Sequence, residues 1–323
     1  MEYVYLLLSL VAIVFSADWL VAGAVTIAKR FKISDFVIGA VIVGVGTSFP
    51  ELVASSIGTI GGESDIAIGN VIGSNIFNVF GILGLTALVM PVAVSRENRR
   101  FDLPFGIFVS VLTMLLAYNF TFRSTKAEID YIDGLLLLAC FATFMYFSLK
   151  GGKQTKTTSN EVISNKQLAF GICKVVAGLG ILIVASRFFL DNAIVIATQW
   201  GVNKAFIAIT LVACGTSLPE LAASVVAAAK KNTQLALGNI IGSNIFNLSL
   251  ILGISSQIAA TPLSPKIDRL ASVDIGWIDF SVMIFAAVVP LILCYKGKLN
   301  RWAGAFMFLC FVAYNFYLIY TQA

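Results

Sequence analysis

Ten apolar runs, at roughly 3–28, 36–60, 66–90, 103–122, 130–149, 167–197, 205–229, 235–260, 274–295 and 302–320, alternate with short polar connections along the chain. Each is about 20 residues or longer, the length a helix needs to cross the hydrocarbon of a bilayer. Strands of a membrane barrel would give shorter segments of alternating polarity instead. The pattern therefore predicts an all-α integral membrane protein of ten transmembrane helices. One connection is long and polar, Lys150 to Lys166, rich in Lys, Thr, Ser, Asn and Gly. It reads as a linker between two halves of five helices, residues 1–149 and 167–323, with 150–166 between them.

Charge in the connections gives an orientation. The connections after runs 1, 3, 5, 7 and 9 carry 15 Lys and Arg residues, and those on the other side carry 5. The positive-inside rule makes the first set cytoplasmic and puts both termini outside. An odd number of spans per half then makes the second half enter the membrane from the opposite side, so the two five-helix units are expected to be inverted repeats.

Composition agrees with a bilayer protein: of 323 residues 59% are hydrophobic and 12% charged. The net charge of +5 lies between the apolar runs, where topology explains it, and nucleic-acid binding is excluded as a reading. The chain has no histidine, which removes the usual transition-metal ligand and the usual general base. Five cysteines, Cys140, Cys173, Cys214, Cys294 and Cys310, lie inside apolar runs without C-x-x-C spacing and read as free thiols filling membrane packing. Residues 1–28 lack a basic leader and read as a retained first span.

The repeat is visible in the residues. Gly46-Thr47-Ser48-Phe49-Pro50-Glu51 returns 169 positions later as Gly215-Thr216-Ser217-Leu218-Pro219-Glu220, and residues 46–84 agree with 215–253 at 21 of 39 positions. Within this stretch the segment from Gly69 to Asn78 recurs from Gly238 to Asn247, with Ile-Gly-Ser-Asn-Ile-Phe-Asn in both copies. Proline withholds the N–H that would bond the carbonyl four residues back. Runs 2 and 7 are thus predicted to be broken helices at the core, with the carbonyls of Gly46, Thr47, Gly215 and Thr216 released from the ladder. In hydrocarbon a released carbonyl needs a cation, water or another protein group. Thr47 and Ser48 share a helix face with Glu51, four and three residues on, as Thr216 and Ser217 do with Glu220. Two inverted repeats meeting at a pseudo-two-fold axis would bring Glu51 opposite Glu220, a patch of hard oxygen ligands at membrane depth.

In run 3, Asn70, Ser74 and Asn78 recur every fourth residue, as do Asn239, Ser243 and Asn247 in run 8, so each set lines one face. Polar side chains in membrane helices also serve as interhelical glue, and that reading stands beside the functional one for every Ser, Thr and Asn here. It does not account for two intramembrane carboxylates at matched positions, which are costly unless used. The glycines beside them read as packing devices. Asp18, Arg187 and Asp191 are explained as well by ion pairing or an aqueous entrance as by substrate contact.

With these residues in view, the chain resembles the cation/calcium exchanger superfamily, in particular prokaryotic sodium/calcium exchangers, on its two G-T-S-x-P-E and G-N-x-I-G-S-N-I-F-N blocks. The resemblance implies that Glu51 and Glu220 coordinate both Ca²⁺ and Na⁺, with the carbonyls of Thr47 and Thr216 completing a calcium site. It further implies that Ser48, Ser74, Ser217 and Ser243 serve sodium, helped by carbonyls near Gly44 and Ala213, and that Asn78 and Asn247 stand at the centre. Some relatives carry Asp where this chain has Asn247, which leaves two central carboxylates here. Spans 1 and 6 would slide across the other eight. No cofactor is implied; the ions are transported, across the cytoplasmic membrane, with the lipid bilayer as the other partner.

The expected function is secondary antiport of Na⁺ against Ca²⁺, with H⁺/Ca²⁺ or K⁺-dependent Na⁺/Ca²⁺ antiport as the alternatives. A site charge of −2 suits one Ca²⁺ or two Na⁺, so the ions compete for one cage. A cation channel would need no counter-ion. An intramembrane hydrolase lacks a histidine partner for Ser48 or Ser217, and the chain is not expected to be an enzyme.

Overall fold

The computed structural model describes residues 1–119, 126–151, 163–200, 215–264, 267–272 and 275–322. Helices occupy the apolar runs: α1 (Glu2–Phe31), α2 (Asp35–Thr47), α3 (Phe49–Gly61), α4 (Ser64–Val89), α5 (Asn98–Ala117), α6 (Tyr131–Gly151), α7 (Asn165–Gln199), α8 (Leu218–Ala229), α9 (Thr233–Ala259), α10 (Trp277–Leu293) and α11 (Arg301–Gln322). Among the described residues seven helices are long and apolar enough to cross a membrane, or eight when α2 and α3, bent by 42° at their junction, count as one broken span. The first part of the seventh run, with Cys214 and Ala213, lies outside the described residues, as does 152–162 of the expected linker.

The expectation of an all-helical chain needs one correction. Two short antiparallel ribbons tie connections together: β1 (Val92–Ala93) pairs with β4 (Lys298–Leu299), and β2 (Ala127–Ile129) with β3 (Leu270–Ser272). Two or three residues of strand are too short to leave a period-2 signal in the sequence. The ribbons sort the connections into two ends. At one end Thr233 and Gln234, opening α9, bond to Ala93 beside the β1–β4 ribbon. At the other, Ser64 Oγ donates to the Ala271 carbonyl of β3 (2.6 Å) and Ser264 Oγ to the Thr59 carbonyl (2.7 Å).

Burial separates the helices into layers. In α4 and α9, 83% and 89% of the most apolar window is buried, against 33% and 28% in α1 and α7, so α4 and α9 form the centre. Around them one large cluster gathers Phe80, Phe144, Phe246, Phe280 and Leu137. A second cluster, with Ile13, Leu20 and Leu182, joins α1 and α7 to α8 and the start of α9. The α1 and α7 helices run antiparallel: Gly23 lies against the Gly171 carbonyl, Gly178 against Leu20, and Trp200 Nε1 donates to Tyr3 Oη at 3.0 Å. A Cβ at Gly178 would sit 2.8 Å from the Leu20 nitrogen, so glycine is what lets these backbones approach. Of the described cysteines, Cys294 is buried and Cys140 and Cys310 half-buried, as packing residues should be. Cys173 departs from that expectation, standing exposed on α7.

Candidate ion-binding site

The break in the second span falls at Ser48, whose backbone (φ −84°, ψ 7°) leaves the helical range between α2 and α3. Ser217 does the same before α8 (φ −92°, ψ 12°). Each proline falls in the first turn of the helix that follows, where its missing N–H costs nothing. The ladder closes up around the first break, with Ser48 N–H on the Gly44 carbonyl (3.1 Å) and Leu52 N–H on the Ser48 carbonyl (3.2 Å). Glu51 and Glu220 therefore stand in the first turn of α3 and of α8, where the helix dipole favours negative charge. Both are fully buried. Wide π-turns flank them in α2 (Gly39–Gly44), α4 (Phe77–Leu83) and α9 (Phe246–Ile251). Such turns accompany functional sites because they redirect the residues that follow.

Hydrogen bonds cross between the halves in matched pairs. Ser48 Oγ donates to Glu220 Oε1 (2.8 Å), and Ser217 Oγ donates to Glu51 Oε1 (3.0 Å). Thr47 Oγ1 donates to Asn239 Oδ1 (3.3 Å), and Thr216 Oγ1 to Asn70 Oδ1 (3.5 Å). Every donor and acceptor in one bond is the 169-residue counterpart of those in its mate. Ser217 Oγ also lies within hydrogen-bond distance of the Ser74 hydroxyl (3.2 Å), from which it accepts, and Ser243 Oγ donates to the Gly44 carbonyl (3.3 Å). Thus Glu51, Glu220, Ser48, Ser217, Ser74 and Ser243 meet where α3 and α8 start, beside α4 and α9, all essentially buried; Thr47 is buried as well, and Thr216 half-buried.

Asn78 and Asn247 lie one turn beyond Ser74 and Ser243, both at most 1% exposed. Their amide nitrogens are engaged, Asn78 Nδ2 with Asn244 Oδ1 (3.0 Å) and Asn247 Nδ2 with Asn75 Oδ1 (3.4 Å). Their oxygens are not. Four buried oxygens of the site, Glu51 Oε2, Glu220 Oε2, Asn78 Oδ1 and Asn247 Oδ1, have no hydrogen-bond partner among the described residues. Orphaned acceptors in a buried site are costly, and a cation is the partner that satisfies several at once. The donor set is all oxygen, carboxylate and amide, which suits Ca²⁺ and Na⁺ and not a soft transition metal.

These blocks match the family model described as sodium/calcium exchanger protein over residues 1–150 and 170–320. The chain belongs to the sodium/calcium exchanger family. Among relatives of the exchanger, the sodium/calcium exchanger MaX1 of Methanosarcina acetivorans is 33% identical over 353 residues, covering 99% of each chain. The inner membrane protein YrbG of Escherichia coli (strain K12) is 33% identical over 300 residues, covering 90% of this chain and 88% of its own. A solved structure of the sodium-calcium exchanger NCX_Mj, soaked with Na⁺ and Sr²⁺, superposes with a TM-score of 0.81 at 28% identity, covering 97% of this chain and 96% of that one. The family consists of transmembrane antiporters, not enzymes, and takes Na⁺ and Ca²⁺ as transported ions with no cofactor.

Two details of the exchanger lie outside what the sequence made plain. Asn70 and Asn239 are used up within the protein: Asn239 Nδ2 bonds the Glu220 carbonyl (3.2 Å) and Ser224 Oγ (2.8 Å), Asn70 Nδ2 bonds the Glu51 carbonyl (3.3 Å) and Ser55 Oγ (3.1 Å), and both Oδ1 atoms take threonine hydroxyls. They hold the glutamate-bearing helices to α4 and α9. Asn75 and Asn244 are the second, and their recurrence inside the I-G-S-N-I-F-N block is the one signal of them in the sequence.

A cavity of about 780 Å³ runs between α3 and α7, from Gly61 and Glu63 to Thr216 and Pro219 beside the site, with Arg187 and Asp191 on its wall. The counterpart of Arg187 is Asp18 on α1, which pairs with Lys230 just after α8. So the two-fold relation of the bonds does not extend to these two positions.

Proposed function

We propose that this chain exchanges Na⁺ for Ca²⁺ across the cytoplasmic membrane by alternating access, normally extruding Ca²⁺. The observation that carries the reading is the set of four buried oxygens, on Glu51, Glu220, Asn78 and Asn247, that lack a hydrogen-bond partner among the described residues. Two carboxylates balance one Ca²⁺, and the hydroxyls of Ser48, Ser217, Ser74 and Ser243 around them supply the neutral oxygens that Na⁺ needs in its place. Thr47 and Thr216 contribute their backbone carbonyls at the breaks.

The architecture proposed for it is ten transmembrane helices in two inverted repeats, 1–149 and 167–323, joined by a cytoplasmic linker at 150–166, with both termini outside. Supporting this are the charge asymmetry of the connections, the antiparallel α1 and α7, and the exchange of halves relating the site's hydrogen bonds. On this topology the cavity beside Glu63 is the outward approach, and the Asp18–Lys230 pair lies toward the cytoplasmic side.

Sodium is favoured over protons as the coupling ion because matched serines beside each glutamate are needed for a coordination shell, and a proton needs none. Potassium dependence is disfavoured because both central positions are neutral amides. The test is ⁴⁵Ca²⁺ uptake by proteoliposomes loaded in turn with Na⁺, K⁺ or acid. Uptake with Na⁺ alone is expected; uptake with acid alone would replace this reading with proton exchange.

A further inference from the structure

We infer that Asn75 and Asn244, which do not face the ion, are positioning residues that force Asn78 and Asn247 to present oxygen to it. This rests on the exchange reading above and adds a determinant of affinity to it. A primary amide offers an acceptor on one side and two donors on the other, and the two orientations have nearly the same shape. Facing a cation, one orientation is a ligand and the other repels. Something must choose between them.

The choice is made by a relay that begins at groups with no freedom. The backbone carbonyl of Asn244 can only accept, and it takes Asn75 Nδ2 at 3.4 Å. That bond fixes the Asn75 amide, leaving its Oδ1 as the group turned toward Asn247. An oxygen there can only accept, so Asn247 must turn its Nδ2 to it, as it does at 3.4 Å. The remaining atom, Asn247 Oδ1, is left buried and without a hydrogen-bond partner among the described residues. The mirror relay runs from the Asn75 carbonyl through Asn244 Nδ2 (3.4 Å) and Asn244 Oδ1 to Asn78 Nδ2 (3.0 Å), leaving Asn78 Oδ1 in the same condition. Since each of the pair both clasps the other's backbone and orients the other half's central amide, the four residues form one closed unit at the crossing of α4 and α9. Asn75 is 2% exposed and Asn244 half-buried.

The relay has a property that simple packing lacks. A carboxylate presents an acceptor in either orientation, so aspartate at position 247 would need no orienting. It would instead set its own oxygen against Asn75 Oδ1, two acceptors with no proton between them. The effect of removing Asn75 should therefore change sign between the two backgrounds.

The experiment is equilibrium ⁴⁵Ca²⁺ binding to purified full-length protein, for wild type, Asn75→Ala, Asn247→Asp and the double variant, with the mirror set Asn244→Ala, Asn78→Asp and their combination. Asn75→Ala is expected to weaken Ca²⁺ binding about tenfold in the wild-type background, the scale of one misplaced buried acceptor, and to leave binding unchanged or tighter in the Asn247→Asp background. The same loss in both backgrounds would overturn the inference in favour of packing. So would failure of both alanine variants to fold in either background, which would give the pair a structural role. Wild-type protein that bound no Ca²⁺ would overturn the exchange reading itself, a result distinct from either.

Discussion

At the scale of single residues the account turns on which oxygens have work other than holding the fold. Glu51 and Glu220 each use one oxygen to accept a serine hydroxyl across the two halves, and the other oxygen has no hydrogen-bond partner among the described residues. Replacing either by glutamine removes half of the negative charge at nearly constant volume, so Glu51→Gln and Glu220→Gln are expected to abolish Ca²⁺ transport while the protein remains folded in the membrane. Purified Glu220→Gln protein that still exchanged Ca²⁺ near the wild-type rate would rule out the site. Ser74→Ala and Ser243→Ala remove one neutral oxygen each and no charge. They are expected to raise the Na⁺ concentration needed for half-maximal exchange more than the Ca²⁺ concentration, measured in the same vesicles; equal shifts would mark these serines as packing. The glutamates, threonines and serines were legible in the sequence because each is costly at membrane depth and each is duplicated. Asn75 and Asn244 are equally costly and equally duplicated, yet they fall outside the every-fourth-residue stripe through Asn70, Ser74 and Asn78. Their role lies in a bond to the other half, which no periodicity within one helix reveals.

At the scale of elements the site depends on how closely α2 lies along α9. A Cβ on Gly238 would collide with the Phe36 carbonyl, and one on Gly39 with the Leu235 carbonyl. Backbone cannot yield as a side-chain tip can, so Gly238→Val or Gly39→Val is expected to cost roughly 1–3 kcal/mol or more of stability, read as a lower unfolding temperature in detergent. Gly180→Ala, where nothing lies within 4 Å of the added carbon, is the control and should shift stability by no more than about 0.5 kcal/mol. Helix breaks at Ser48 and Ser217 were predictable from Pro50 and Pro219, since the missing N–H is a covalent fact. The π-turns of α2, α4 and α9 were not, because an i to i−5 ladder uses the same residues as an α-helix and differs only in packing. The short ribbons were hidden for a related reason: their strands are held by partners about 140 and 200 residues distant.

At the scale of the whole molecule, the apolar runs and the internal repeat made the helical architecture readable from the chain, because bilayer thickness and backbone satisfaction leave few alternatives. The difference between the surroundings of Asp18 and Arg187 was not readable. Asp18 and Arg187 occupy matched positions, but only contacts in three dimensions tie one to Lys230 and leave the other on a cavity wall. The charge balance of the site predicts how the molecule responds to voltage. On the proposed site two carboxylates would neutralise one Ca²⁺, while the surrounding serines would offer oxygens for more than two Na⁺, so a third Na⁺ would carry an uncompensated charge across the membrane. Ca²⁺ uptake into Na⁺-loaded vesicles, with K⁺ absent, is expected to change with the clamped membrane potential. Uptake indifferent to voltage would contradict a third Na⁺, and uptake that vanished without K⁺ would contradict the neutral centre.

The claim beneath all of these is that one cage, between Glu51 and Glu220, takes divalent ion and sodium in turn. The most direct measurement is anomalous diffraction from crystals of this protein soaked in Sr²⁺ at rising Na⁺ concentrations. The account predicts a strong Sr²⁺ peak within coordination distance of Glu51 Oε2 and Glu220 Oε2, weakening as Na⁺ rises while density grows beside Ser74 and Ser243. A peak bound elsewhere, or one between the glutamates that high Na⁺ leaves undiminished, would contradict it.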